Sequence, residues 1–147
     1  ERMIAEAMWD LGVANYANRR LQELSSGERA RVLLSKGIVQ TPKVLLVDEP
    51  SAHLDIKYKV QIMEILRELS RRGLTILIAS HDINLLTRFC DRILLLSKGR
   101  ILDYGAPKDV VTESSIEEVF DIKVKIVEEG GTIYVLPTGS TGYASGP

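Results

Sequence analysis

The chain has 147 residues, enough for one domain with a hydrophobic core, and its 45% hydrophobic and 27% charged residues are typical of a globular protein. A net charge of -1 does not favour nucleic acid or an anionic membrane surface as a partner, and the single cysteine, Cys90, excludes an internal disulfide bond. No apolar run reaches the roughly 20 residues that span a bilayer and we see no secretory signal, so we expect a cytoplasmic chain, for which any membrane link must come through a partner.

The first element is predicted to be an amphipathic helix over residues 1–12, followed by a looser connection over residues 13–24. The helical spacing of apolar residues is already under way at the first residue, and Glu1 is not an initiator methionine. We therefore expect a fragment or an expressed subdomain of a longer protein.

A second helix is predicted to begin after Ser25, because Ser25 and Glu28 have the spacing of a capping box. Thr41-Pro42 is predicted to end this helix. Its apolar face is formed by Ala30, Leu33, Leu34 and Ile38.

Residues 44–47 and 74–79 are short apolar runs without alternation, as in parallel strands that are buried on both faces. Between them, Asp55 is placed to cap a helix over residues 56–72, and Gly73 suits its C-terminal end. The predicted buried face of this helix consists of Ile56, Val60, Met63, Leu66 and Leu69.

The rest of the chain is predicted to contain short elements and a closing hairpin. In chain order these are a helix over 84–90, strands over 93–96 and 100–104 around Lys98-Gly99, two short helices within 107–121, and a hairpin of 122–127 with 132–136 that turns at Gly130-Gly131. Residues 137–147 are predicted to be a mobile tail, and Cys90 a buried thiol. The alternation of strands and helices predicts an α/β domain with a mainly parallel sheet flanked by helices and a C-terminal β-hairpin.

Two carboxylates, Asp48 and Glu49, follow the first predicted strand directly. Ligands of open α/β sheets lie at the carboxyl ends of the strands. A carboxylate there can hold hydrated Mg²⁺, and its neighbour can orient or deprotonate a water molecule. A strand that simply ends in a polar loop would have the same sequence.

A second candidate is the helix start at Ser25, Ser26, Gly27 and Glu28, where unpaired backbone N–H groups and the helix dipole favour an anion. An ordinary capping box without a ligand is the alternative. His81 follows the second predicted strand, where it can bind a phosphate or water, although a lone histidine at a strand end is commonly just a surface residue.

Taken in order, these segments resemble the ABC ATPase family. Leu24–Glu28 resembles the signature motif, usually L-S-G-G-Q; Asp48-Glu49 resembles the Walker B end, Ser51–Asp55 the D-loop and His81 the switch histidine. Two departures are mild: Ser26 replaces a glycine and Glu28 replaces glutamine, and we expect the Glu28 side chain to point back to the helix backbone.

The phosphate-binding loop of this family, G-x-x-x-x-G-K-[ST], does not occur in the 147 residues. The resemblance therefore implies the C-terminal part of an ABC ATPase domain. It divides the chain into part of the helical subdomain over 1–42, part of the catalytic core over 43–106, and a C-terminal extension with a flexible tail over 107–147.

The resemblance also implies roles for the candidate residues. ATP and Mg²⁺ are the expected cofactors, with Asp48 as the metal residue, Glu49 polarising the attacking water and His81 contacting the γ-phosphate. Ser25, Ser26, Gly27 and Glu28 would meet the ATP of a second ATPase subunit in a head-to-tail dimer, and Asp55 would link the two sites. Transmembrane permease subunits are the expected partners on the inner face of the cell membrane, without direct membrane insertion and without nucleic acid.

The segments 105–112 and 116–120 and the closing hairpin resemble ATPases of iron-siderophore, haem and cobalamin importers. Two alternatives stay open on the sequence. One is a non-transport ABC ATPase of DNA repair or translation, and the other is an interaction module that does not hydrolyse ATP.

Overall fold

The structure, a computed structural model, describes residues 2–140. The chain divides into two compact units, Glu1–His81 and Asp82–Pro147. Of the predicted tail over 137–147, residues 141–147 lie outside the described residues, whereas residues 137–140 belong to the last strand. Within residues 2–140, no helix combines the length and the apolar character needed to cross a membrane.

The first unit begins with two helices, α1 over Arg2–Asp10 and α2 over Ser26–Val39. The predicted loose connection between them contains two short 3₁₀ turns, Ala14–Tyr16 and Leu21–Glu23. The sequence-based start of α2 is confirmed, and its cause is local: the Ser25 side chain accepts from the backbone of the third helical residue, and the reciprocal bond is also made.

A βαβ unit follows, formed by β1 over Val44–Asp48, α3 over Ile56–Arg71 and β2 over Thr75–Ala79. The two strands are parallel, in a register that runs from Val44 opposite Thr75 to Asp48 opposite Ala79. Because both strands end at the same register position, the segments that follow them leave the sheet side by side.

The prediction that β1 and β2 are buried on both faces is wrong for the described residues. Val44, Leu46 and Leu77 are 54%, 71% and 62% exposed. On the opposite face, a Cβ added to Gly37 of α2 would lie 3.2 Å from the Leu45 side chain, so this face packs against a helix. The helices of this unit cover one face of the strand pair only.

The predicted apolar face of α3 is confirmed at its centre and end, where Met63, Leu66 and Leu69 are buried. It is wrong at the first turn, where Ile56 is 80% exposed. Ile56 continues the apolar spacing of α3 but stays exposed, so the spacing alone does not determine which side chains are covered.

The second unit consists of short elements around two antiparallel strand pairs. They are α4 over Ile83–Phe89, β3 over Ile93–Ser97, β4 over Arg100–Gly105, α5 over Pro107–Val110, α6 over Glu113–Phe120, β5 over Ile122–Glu129 and β6 over Thr132–Ser140. β3 pairs with β4 and β5 with β6. The α/β class and the closing hairpin are confirmed, but the parallel arrangement is limited to β1 and β2 among the described strands.

The hydrophobic core of the second unit lies between its strand pairs and its helices, and Ile116 of α6 is 0% exposed in it. Its buried members are Ile93, Leu95, Val110, Val111, Ile116, Val124, Ile133 and Val135. Cys90, predicted to be a buried thiol, is only partly buried.

Polar side chains of α4 attach this helix to β6. The Asn84 amide accepts from the Val135 backbone N–H at 2.7 Å and donates to the Val135 carbonyl at 3.1 Å. The buried Thr87 hydroxyl donates to the Ile133 carbonyl at 2.7 Å. These three bonds satisfy backbone groups of β6 that no strand within residues 2–140 pairs with on that side.

Candidate functional site

The carboxylate of Glu49, just beyond β1, is held by the segment that follows β2. His81 Nδ1 lies 2.7 Å from Glu49 Oε1, and the His81 backbone N–H donates to the same oxygen at 3.0 Å. Ser80 Oγ donates to Oε2 at 3.2 Å. The His81 side chain is 78% exposed and that of Glu49 34% exposed, so both remain open to a ligand from solvent.

The backbone of Glu49 turns sharply out of the sheet. Glu49 has a φ of 43°, in the left-handed region that non-glycine residues rarely occupy, and its N–H donates to the Ala79 carbonyl at 2.8 Å. Such a conformation costs on the order of 1–3 kcal/mol. The hydrogen bond from Glu49 to the end of β2 offsets part of this cost. It holds the Glu49 backbone so that the carboxylate lies beside His81.

The pKa of Glu49 is lowered from its ordinary value of 4.5. Partial burial raises the pKa, but the hydrogen bonds from His81 and Ser80 and the His81 charge together outweigh the burial. Glu49 is therefore ionised at neutral pH, in the form that can accept a proton from water.

Asp48 is the last residue of β1 and is exposed. In residues 2–140 no group of three or more histidine, cysteine, aspartate and glutamate side chains is arranged to hold a metal ion. Mg²⁺ is commonly bound in proteins by one or two carboxylates, with waters and substrate phosphates as its other ligands. A single exposed carboxylate at a strand end therefore fits Mg²⁺ that arrives with a phosphate ligand.

The second candidate group, at the start of α2, has the predicted capping box. The Glu28 N–H donates to Ser25 Oγ at 3.4 Å, and the Ser25 N–H donates to Glu28 Oε2 at 2.9 Å. The pKa of Glu28 is lowered by this backbone bond, by the Tyr16 hydroxyl and by the Ser25 hydroxyl. The expectation that Glu28 points back to the helix backbone is confirmed, while Ser25 and Ser26 remain exposed.

The loop from Ser51 to Asp55 connects the carboxylates to α3. Its first residue, Ser51, is 3% exposed, and His53 has a φ of 59°. Asp55 occupies the N-cap position of α3 as predicted, but its side chain makes no capping hydrogen bond and is exposed. Asp55 is therefore free of a helix-capping role.

The structure thus brings Glu49 and His81 together, 32 residues apart in the chain, and leaves the Ser25–Glu28 group on a different element. Two aromatic residues beside that group were missed by the sequence analysis. The Tyr16 hydroxyl bonds to Glu28, and the Tyr58 ring lies against Gly27. Neither belongs to a recognisable motif, and only the folded arrangement shows their contacts.

One protein-family model matches residues 4–87, more than half of the chain; its description is AAA domain, putative AbiEii toxin, Type IV TA system. The matched range contains every candidate site residue.

Curated relatives are named as ATP-binding proteins of import or transport systems. The cobalamin import ATP-binding protein BtuD of Halobacterium salinarum is 37% identical over 88% of this chain and 33% of its own length. The ferric enterobactin transport ATP-binding protein FepC of Escherichia coli is 33% identical over 96% and 53%. The hemin import ATP-binding protein HmuV of Mesorhizobium japonicum is 36% identical over 95% and 57%. The chain thus spans between a third and somewhat more than half of these relatives.

Among solved structures, an inward-facing putative metal-chelate type ABC transporter matches with a TM-score of 0.83 over 94% of this chain and 56% of the other. At 20% identity this similarity concerns the fold. The relatives and the fold agree, and the chain belongs to the ABC-type ATPases, within whose ATP-binding domain it fits a C-terminal part.

Proposed function

We propose that this chain is part of the ATP-hydrolysing subunit of an ABC importer. The observation that carries the proposal is the Glu49–His81 pair, which two parallel strands hold at their shared carboxyl end. An ionised carboxylate with an exposed imidazole beside it, next to an exposed Asp48, is suited to activating water against a phosphate.

Each of these residues has a distinct role in the proposal. Asp48 would hold Mg²⁺, which would supply positive charge against the ATP phosphates. Glu49 orients the attacking water and accepts its proton. His81 holds the Glu49 carboxylate through Nδ1, and its other ring nitrogen can donate to phosphate oxygens as their charge grows.

The Ser25–Glu28 group acts on a second subunit in this proposal. The exposed Ser25 and Ser26 and the backbone at Gly27 meet the ATP that the partner of a head-to-tail dimer holds, and Asp55 connects the two sites. The dimer would drive permease subunits from the cytoplasmic face of the membrane.

Residues 1–42 would form part of the helical subdomain, residues 43–106 part of the catalytic core and residues 107–147 a C-terminal extension. Relatives named for cobalamin, ferric enterobactin and hemin support an importer of a metal chelate or porphyrin-like compound. A non-transport ATPase is the second candidate, because the matching family model is described as a putative toxin.

The central test is Glu49→Gln in the ATP-binding subunit that contains this sequence. The amide keeps the shape but loses the charge that accepts the proton, so steady-state ATP hydrolysis should fall by at least about 10²-fold while ATP still binds. Glu64→Gln, on the exposed side of α3, is the matched control and should hydrolyse ATP normally. Normal turnover of Glu49→Gln would refute its role.

Three further variants separate the roles. Asp48→Asn should weaken the Mg²⁺ dependence of ATP binding as well as the rate, and His81→Ala should lower the rate alone. Ser25→Arg should leave ATP binding to the monomer intact but prevent dimer closure.

ATP hydrolysis that responds to purified permease subunits would support the importer, and hydrolysis indifferent to any permease would favour the non-transport candidate.

A further inference from the structure

The Tyr58 ring lies directly against Gly27 in the first turn of α2. A Cβ atom added to Gly27 would lie 2.5 Å from Tyr58 Cγ and 2.9 Å from Tyr58 Cε1. Carbon atoms in contact are normally about 3.5–4.0 Å apart. Gly27 is buried, and any larger residue at this position would have to displace the ring.

Tyr58 is the third residue of α3, which begins directly after Asp55. Its ring therefore joins the first turn of α3 to the first turn of α2. Lys57 Nζ lies 5.8 Å from the ring centroid, and the ring is half-buried. A tyrosine with one face against a backbone and a cation nearby has little freedom to move away.

The contact is placed where it can affect the Ser25–Gly27 segment. The first N–H groups of a helix have no partners within the helix, and their direction depends on how the first turn is seated. The Ser25–Glu28 bonds fix this turn internally, but Tyr58 connects it to another element.

We propose that Tyr58 is a positioning residue, whose ring seats the Ser25–Gly27 turn against α3 and makes glycine obligatory at position 27. This inference rests on the proposed function of that turn in ATP hydrolysis. It differs from the explanation that glycine is needed only so that a phosphate can come close. In the proposal, the ring and the glycine form one unit.

The contact itself is tested by NMR on the ATP-binding subunit that contains this sequence, without ATP. Because Gly27 lies over an aromatic face, its α-protons should be shifted upfield, and the shift should persist in Tyr58→Phe and vanish in Tyr58→Leu. Unshifted α-protons in the unaltered chain would overturn the proposal, whatever the ATPase does.

The role is tested by a double-mutant cycle in the ATP-binding subunit. Tyr58→Phe should hydrolyse ATP normally, and Tyr58→Ala should lose roughly 10-fold in turnover with unchanged ATP affinity of the monomer, as expected when a reacting group is misplaced. Tyr104→Ala, at a tyrosine that is 61% exposed on β4, is the control and should match the unaltered subunit.

Gly27→Ala should lose more activity than Tyr58→Ala, since the new methyl group meets the ring. The double variant should recover about threefold or more over Gly27→Ala, because the ring that the methyl group meets is gone. If the activity loss of the double variant equals the product of the two single losses, glycine is needed only so that a phosphate can come close, and the proposal is wrong. If the unaltered subunit does not hydrolyse ATP, the proposed function fails, while the NMR result still decides the contact.

Discussion

The two units of the chain differ in whether they contain the candidate site and in how their strands are covered. The unit Glu1–His81 contains every candidate site residue, and it leaves an apolar face of its strand pair exposed at Val44, Leu46 and Leu77. The unit Asp82–Pro147 has a buried cluster of eight hydrophobic residues and polar bonds that attach α4 to β6. The candidate site residues thus lie in the first unit, although both units bury hydrophobic residues, as Val13, Met63 and Leu66 show for the first.

The difference has a physical cause. A site at the carboxyl end of parallel strands needs exposed polar groups and unusual backbone, as at Glu49 with its φ of 43°. The second unit uses regular hairpins with glycine at the turns, such as Gly130 and Gly131 with φ values of 58° and 78°. Substitutions at the site should therefore affect activity, whereas substitutions at buried positions of either unit should affect stability.

The largest stability effect is expected from Ile116→Ala in α6. Ile116 is fully buried, and removing its side chain should lower the free energy of unfolding by about 2–5 kcal/mol. Ile101→Ala, on an exposed position of β4, is the control and should change it by less than about 0.5 kcal/mol. Urea denaturation of the 147-residue chain measures both, and equal effects would abolish the contrast between buried and exposed positions.

A smaller loss is expected from Asn84→Ala, which leaves the Val135 N–H and carbonyl without partners. Burying unpaired polar groups should cost about 1–3 kcal/mol of unfolding free energy. Amide hydrogen exchange at Val135 should become faster, while exchange in β1 stays unchanged. Unaltered exchange at Val135 would show that α4 does not hold β6.

The smallest effect is expected from acid, and it concerns the first unit. The folded-state pKa values of Glu28 and Glu49 lie below the ordinary 4.5, so their ionised forms stabilise the folded state above pH 4.5. This contribution is lost as pH falls through the lowered pKa values. The variant Glu28→Gln lacks one of these two carboxylates. Its urea midpoint should therefore fall less than that of the unaltered chain when the pH is lowered from about 6 to about 3. An equal fall in both would show that the Glu28 bonds contribute nothing to stability.

Local features were predictable from the sequence. Ser25 and Glu28 specify the start of α2 through bonds within one turn, and Gly130-Gly131 specifies the last hairpin because both residues need a positive φ. The strand bounds of β5 and β6 were underestimated, since pairing continues through residues 137–140 beyond the apolar run.

Nonlocal features were not predictable. The exposure of Leu46 and Ile56 depends on what packs against them, and an apolar residue has the same sequence signal whether or not it is covered. The resemblance to a family implied that Glu49 and His81 act at the same ATP, but their direct contact at 2.7 Å was not predicted and depends on the register of β1 and β2. The Tyr58–Gly27 contact joins two helices and leaves no periodic signal in the chain.

The bonds from Asn84 to Val135 have a consequence for how this chain meets other chains. An open strand edge presents unpaired N–H and carbonyl groups that can recruit a strand from another molecule and begin aggregation. Here the Asn84 amide bonds to the Val135 N–H and carbonyl as a residue of an added strand would. The Thr87 hydroxyl donates to the next outward-facing carbonyl, that of Ile133. Helix α4 thus blocks strand addition to β6 at Ile133 and Val135, so it limits misassembly there as well as packing against the strand.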